Sequence, residues 1–131
     1  MKNIKPFLNA LTMVGKHLIS CLLVFAPVIC YSQIPAAPTT LVATTNSTTQ
    51  INLTWADAST NETGFQVERS LTTATGFTLV GTTAANAVSF ANTGLTAGTR
   101  YFYRIRAINA TGNSAYTAEA NATASLIAPT T

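Results

Sequence analysis

Tyr101-Phe102-Tyr103-Arg104-Ile105-Arg106-Ala107-Ile108-Asn109 alternates without a break, with Tyr101, Tyr103, Ile105 and Ala107 on one face and Phe102, Arg104, Arg106 and Ile108 on the other. Successive side chains of an extended chain point to opposite sides, so this stretch predicts a strand with one face in a core and one at the surface. The same period recurs upstream: Ile51, Leu53 and Trp55 alternate with Asn52 and Thr54, Phe65 and Val67 with Gln66 and Glu68, and Val88 and Phe90 with Ser89 and Ala91. Downstream, Tyr116, Ala118, Ala120 and Ala122 alternate with Thr117, Glu119 and Asn121, which predicts a last strand whose inner face is flat and built mainly from small residues.

Leu41 and Ala43, after Pro35 and Pro38, supply a first strand, and Phe77 to Thr82 a fourth. The connections carry turn chemistry. Ala56 to Gly64 is a polar loop, Thr73 to Gly76 a tight return, Asn92 to Gly98 a crossover bearing Leu95, and Ala110 to Asn113 a short hairpin in which Gly112 is free to take positive φ. Seven strands in about 90 residues, with turns every 8 to 12, predict an all-β, immunoglobulin-like, seven-stranded antiparallel sandwich.

The ordered motifs are Pro38-x-x-Leu41-x-Ala43, Ile51-x-Leu53-x-Trp55, Gly64-Phe65-x-Val67-Glu68-Arg69 and Leu95-x-x-Gly98-x-x-Tyr101-x-Tyr103-Arg104-Ile105-x-Ala107-x-Asn109-x-x-Gly112-x-Ser114. Together they resemble a fibronectin type III domain, and the loop Asp57 to Gly64 looks like the version found in secreted bacterial proteins. The resemblance implies two packed sheets without a disulfide, strands one, two and five against strands four, three, six and seven. It also implies a tyrosine corner at Tyr101, whose hydroxyl bonds to the backbone of the preceding crossover. Trp55 falls in register with Ile51 and Leu53, so its ring is expected between the sheets. The expected core is Trp55, Leu53, Phe65, Val67, Leu95, Tyr101, Tyr103 and Ile105.

The chain has 131 residues, 47% of them hydrophobic and 8% charged, with a formal net charge of +3. That excess is confined to one end. Lys2, Lys5 and Lys16 precede residue 32, whereas Arg69, Arg100, Arg104 and Arg106 are matched by Asp57, Glu62, Glu68 and Glu119. The balanced remainder argues against nucleic acid or an anionic membrane as partner, since both require clustered cations.

The basic start runs into the apolar stretch Leu18 to Ile29, the pattern of a signal peptide. Twelve residues reach about 18 Å as a helix, short of the ~30 Å hydrocarbon core, so cleavage is expected and membrane insertion afterwards is not. Cys30 and Ser32 place small residues three and one positions before the Ser32/Gln33 bond. Cleavage there makes Gln33 the first residue of the exported chain. The competing reading, lipid anchoring at Cys30, is opposed by Ile29 directly before it. Cys21 reads as apolar filler in the leader. Residues 1–32 are thus expected to be removed, 33–37 to be a linker, 38–124 the domain and 125–131 a second linker. The tail Ile127-Ala128-Pro129-Thr130-Thr131 echoes Ile34-Pro35-Ala36-Ala37-Pro38-Thr39-Thr40 and would open a further repeat.

Residues 33–131 contain no His, Cys or Lys, so no catalytic residue, metal site or cofactor is expected. Asp57, Ser59, Asn61 and Glu62 could offer oxygens to calcium, but loop Asp and Asn more often close turns on their own backbone. Asn46, Asn52, Asn61, Asn109 and Asn121 lie in Asn-x-Ser/Thr sequons that follow from an Asn- and Thr-rich composition. The integrin-binding Arg-Gly-Asp of the family is replaced here by Ala110-Thr111-Gly112-Asn113, so no integrin function is inherited.

What remains is a secreted or cell-surface module, a monomer acting as spacer or as an adhesive, protein-binding unit of a larger protein. The alternative is a carbohydrate-binding accessory to an extracellular polysaccharide-degrading system, with a protein or a polysaccharide as the corresponding partner. Phe102, Arg104, Arg106 and Glu68 form the candidate contact surface. Glu68 is expected near Arg104 or Arg106, exposed and contributing about 0 to 1 kcal/mol.

Overall fold

The computed structural model describes residues 33–127, so the expected leader and the last four residues lie outside the described part. Eight strands follow in order: β1 (Thr39–Thr45), β2 (Ile51–Ala56), β3 (Gly64–Ser70), β4 (Thr78–Ala84), β5 (Ser89–Asn92), β6 (Arg100–Asn109), β7 (Gly112–Asn113) and β8 (Ala120–Thr123). They form an all-β sandwich of two antiparallel sheets. One has the order β1-β2-β5, and in the other β4-β3-β6 is extended on the far edge of β6 by both β7 and β8.

The core lies where the inner faces meet. Ile51 and Leu53 from β2, Phe65 and Val67 from β3, and Tyr103, Ile105 and Ala107 from β6 are wholly buried, with Trp55, Leu95 and Tyr101 nearly so. Trp55 and Phe65 meet in a tilted pair with ring centroids 5.5 Å apart, a favourable aromatic arrangement. Gly81 faces Val67 across β3 and β4, and a Cβ there would come within 2.6 Å of the Phe90 ring. The missing side chain lets Phe90 of the opposite sheet fill the space.

Two expectations are corrected. Val88, expected on an inner face, is 51% exposed, and its carbonyl accepts the Trp55 N–H at 3.1 Å just before β5 begins. The larger correction is the last strand, which arrives as two short pieces. Ile108 faces Asn113 and Tyr103 faces Ala120, so five steps along β6 are matched by seven on the returning chain. The two extra residues enter one at a time. Ser114 still faces Ala107, donating its N–H to the Ala107 carbonyl at 2.8 Å. Two residues further along β6, however, it is Thr117 that donates its N–H to the Ile105 carbonyl, also at 2.8 Å, and Tyr116 is passed over.

At both positions a hydroxyl replaces the strand carbonyl. Ala107 N–H donates to Ser114 Oγ at 2.9 Å and Ile105 N–H to Thr117 Oγ1 at 3.1 Å, which keeps the edge of β6 satisfied through the irregular stretch. A slip of one residue turns a side chain to the other face. Tyr116 therefore leaves the core side where alternation places it and lies on the outer face. The second slip restores the register, so that Ala120 and Ala122 face Tyr103 and Tyr101.

The segment expected as a linker, residues 33–37, lies against the sandwich, with Pro35 buried, as is Pro38 just beyond. The Gln33 carbonyl accepts the side-chain amides of Asn61 and Asn109 at 2.7 and 2.8 Å. At the other end Gly98 (φ 73) leaves room for the Leu126 side chain, which occupies the space a Cβ would need.

Trp55 is 5% exposed and its Nε1 has no protein partner. Trp55→Ala is expected to destabilise by about 3 to 5 kcal/mol, whereas Trp55→Phe, which keeps an aromatic ring and loses no protein hydrogen bond, costs less than half of that. Denaturant unfolding of the two variants checks the difference.

Candidate functional site

The outer face of the larger sheet gathers most of the candidate contact residues. Glu68 on β3 faces Arg104 on β6, and Gln66 faces Arg106, two pairs beyond and so on the same face. Arg104 donates through Nε to Glu68 Oε2 at 2.8 Å, and its second nitrogen lies 2.7 Å from the same oxygen. Arg106 Nε donates to Gln66 Oε1 at 2.9 Å. Of the two partners expected for Glu68, the register selects Arg104.

Two rings that sequence reasoning does not place here complete the cluster. Arg104 lies between Phe77, 4.3 Å from its ring centre, and Tyr116, at 3.9 Å. Arg106 also lies over the Tyr116 ring, 4.8 Å from its centre. The Tyr116 hydroxyl donates to Glu68 Oε1 at 2.6 Å, so both carboxylate oxygens are used. Phe102, the single ring that alternation assigns to this face, is half-buried further along β6, opposite Ser70 and Asn121.

The pair expected to be exposed is sheltered instead. The Glu68 side chain is 12% exposed and that of Arg104 29%, because Tyr116 turns outward and covers them. Burial pushes the Glu68 carboxyl up, but the Tyr116 and Arg104 hydrogen bonds and the charges of Arg104 and Arg106 outweigh it and hold the group below its ordinary value of 4.5. Tyr116 is pushed above the usual phenol range by burial and by its bond to Glu68.

The remaining acids are used locally. Asp57 Oδ1 accepts the Ser59 N–H at 2.9 Å, closing a turn, and Asn61 is drawn to Gln33. Glu62 is 7% exposed and its Oε1 accepts the Asn86 N–H at 3.1 Å, which ties the loop before β3 to the turn before β5. Its own backbone N–H, against the opposing effect of burial, then the Asn86 N–H and the Ser59 and Asp57 side chains, hold it below the usual carboxylate range. Among the described residues no three His, Cys, Asp or Glu side chains gather to hold a metal ion. Glu119, expected merely on an outer face, accepts from Thr73 Oγ1 at 2.9 Å and Ala74 N–H at 3.0 Å, clamping the turn after β3.

Tyr101 and Tyr103 belong to the interior. The Tyr101 hydroxyl accepts the Thr96 N–H of the crossover at 3.0 Å, and Arg69 lies 5.0 Å from its ring centre. Asn92 Oδ1 accepts both Tyr103 OH at 3.0 Å and Arg69 at 3.1 Å. Burial pushes the Tyr103 phenol well up.

The fibronectin type III domain profile matches residues 36–123, and the chain belongs to that family. It is 43% identical over 82 residues to Exoglucanase B of Cellulomonas fimi, covering 60% of this chain and 7% of that protein. Alpha-amylase of Niallia circulans is 34% identical over 100 residues, 74% of this chain and 7% of the enzyme. The chain thus spans a small part of the length of these two relatives. Among solved structures, an Fn3-like protein from Clostridium thermocellum superposes with a TM-score of 0.60 at 30% identity, covering 68% of this chain and 92% of that one. Domains A168–A170 of titin give 0.63 at 26% identity, covering 70% of this chain and 32% of that one.

A double-mutant cycle of Glu68→Gln and Arg104→Met is expected to give a coupling of about 1 to 2 kcal/mol, above the roughly 0.2 to 1 typical of exposed pairs. Tyr116→Phe removes a bond to a charged oxygen and is expected to cost about 1.5 kcal/mol. Because the Glu68 pKa is lower in the folded chain, its contribution is complete above pH 4.5 and is lost as pH falls through the folded value. Glu68→Gln should therefore flatten the acid side of a stability profile measured by urea unfolding from about pH 2 to 7.

Proposed function

We propose that the chain is exported by cleavage after Ser32 and that the domain is a non-catalytic spacer or interaction module of an extracellular or cell-surface protein. The observation that carries this reading is the position of its two ends. Gln33 is held beside Asn109, where β6 finishes, whereas Leu126 rests on Gly98, just before β6 begins. The ten residues of β6 reach about 33 Å at ~3.3 Å per residue, so the chain enters at one pole and leaves at the other. A unit of this form adds a fixed length between its neighbours. Matching segments that occupy 7% of an exoglucanase and of an amylase fit such use as one part among many.

The carbohydrate-binding alternative draws on the names of those two relatives. Sugar stacking needs an open aromatic face. Tyr116 has Arg104 and Arg106 over its ring and Phe77 has Arg104 over its own, which leaves Phe102 as a thin platform. The spacer reading is therefore preferred, with a monomer expected.

Thermal unfolding of the purified protein with a panel of polysaccharides, and with calcium, tests the choice. A ligand at 100 times its Kd adds about 2.7 kcal/mol to stability. No saturable shift is expected. A shift with one glycan, lost in Phe102→Ala, would replace the spacer by the sugar-binding module.

A further inference from the structure

We infer that Gln33, once it is the first residue of the exported chain, closes onto its own side chain to give a pyroglutamyl terminus seated on the loop pole by Asn61 and Asn109. The inference rests on the export reading above and adds a modification site to it.

The seat is built from the loop before β3 and the last residue of β6. Asn61, before β3, and Asn109, at the end of β6, both donate side-chain amides to the Gln33 carbonyl, and Asn109 Nδ2 also donates to the Asn61 carbonyl at 3.1 Å. The Asn109 amide is fixed from its other side, since its Oδ1 accepts the N–H groups of Thr111 and Gly112 at 2.8 and 3.1 Å. Ile34 then packs over Gly112, where a Cβ would stand 2.8 Å from its Cγ2, and Pro35 is buried. The domain grips the chain from the Gln33 carbonyl onward.

Everything needed for ring closure lies on the other side of that carbonyl. Gln33 is exposed, and the five ring members are its α-nitrogen, Cα, Cβ, Cγ and Cδ. After cleavage of the Ser32/Gln33 bond the α-amine attacks Cδ. A new N–Cδ amide bond forms, the Cδ–Nε2 bond breaks, and Nε2 takes a proton from the amine and leaves as ammonia. No oxidant, reductant or cofactor enters the balance. The product has lost the terminal ammonium, and with it the free amine that an aminopeptidase requires, while the carbonyl held by Asn61 and Asn109 is unchanged.

The test is to export the full chain with its own leader, incubate the purified product at neutral pH, and read its intact mass and N-terminal peptide by mass spectrometry. The expected product starts at residue 33, is lighter than the open chain by one ammonia, and resists stepwise N-terminal degradation until treated with pyroglutamyl aminopeptidase. Gln33→Ala should give an open terminus with no such deficit. A product starting at Gln33 that keeps its free amine after prolonged incubation overturns the inference and leaves export standing. An unprocessed chain, or a different first residue, overturns both. Removing the seat with Asn61→Ala and Asn109→Ala should speed release of the ring by the aminopeptidase several-fold, and an unchanged rate would show that these residues do not hold it.

Discussion

The register of β6 is the constraint on which the remaining structure depends. It is hydrogen-bonded along both edges, to β3 over seven consecutive pairs on one side and to β7 and β8 on the other. Its inner side chains, Tyr101 to Ala107, form much of the core, while Arg104 and Arg106 stand on the outer face. A slip by one residue would drive two guanidinium groups into the core and expose Tyr103 and Ile105. The desolvation of unpaired charge makes that state inaccessible, so the strand has one register and its neighbours inherit it.

Charge is used in this domain mainly as packing material. Arg69 covers Tyr101, Arg104 lies between Phe77 and Tyr116, and Arg106 covers Tyr116. Each guanidinium also has a planar acceptor within hydrogen-bond distance: Asn92, Glu68 and Gln66 respectively. A guanidinium is weakly hydrated and flat, so it covers a ring while its edge still meets an acceptor. Stacked and bonded in this way, the three side chains are held against the sheet, which is the chemical counterpart of the spacer reading.

The strands and their inner faces are legible in the sequence because they depend on alternation within single strands, and alternation is a local property. The division into two sheets and the placing of Glu68 beside Arg104 or Arg106 come from the resemblance to fibronectin type III domains. Residues 101–109 are the clearest case. The return strand is not legible, for the opposite reason. Its two slips depend on Ser114 and Thr117 hydroxyls reaching the N–H groups of Ala107 and Ile105, and nothing near residue 116 in the sequence announces that. From that one omission follow the misplacement of Tyr116 and the expectation of an exposed ion pair. Phe77 and Glu119 escape notice similarly, since each acts on a residue more than 25 positions away. A ring and a carboxylate in turn-rich sequence give no sign of such partners.

The placement of the two ends at opposite poles has a mechanical consequence. Tension applied between them runs nearly parallel to the strands, entering at the start of β1 and leaving at the end of β8. The backbone bonds joining β1 to β2 lie across that direction and are strained together, in shear, instead of opening one after another from an end. The bond from Thr45 Oγ1 to the Thr123 carbonyl, 2.6 Å, and that from Ser125 N–H to the Ser47 carbonyl, 3.0 Å, tie the two loaded segments to each other near the exit. The shape that fixes a distance at rest is thus also one that resists extension.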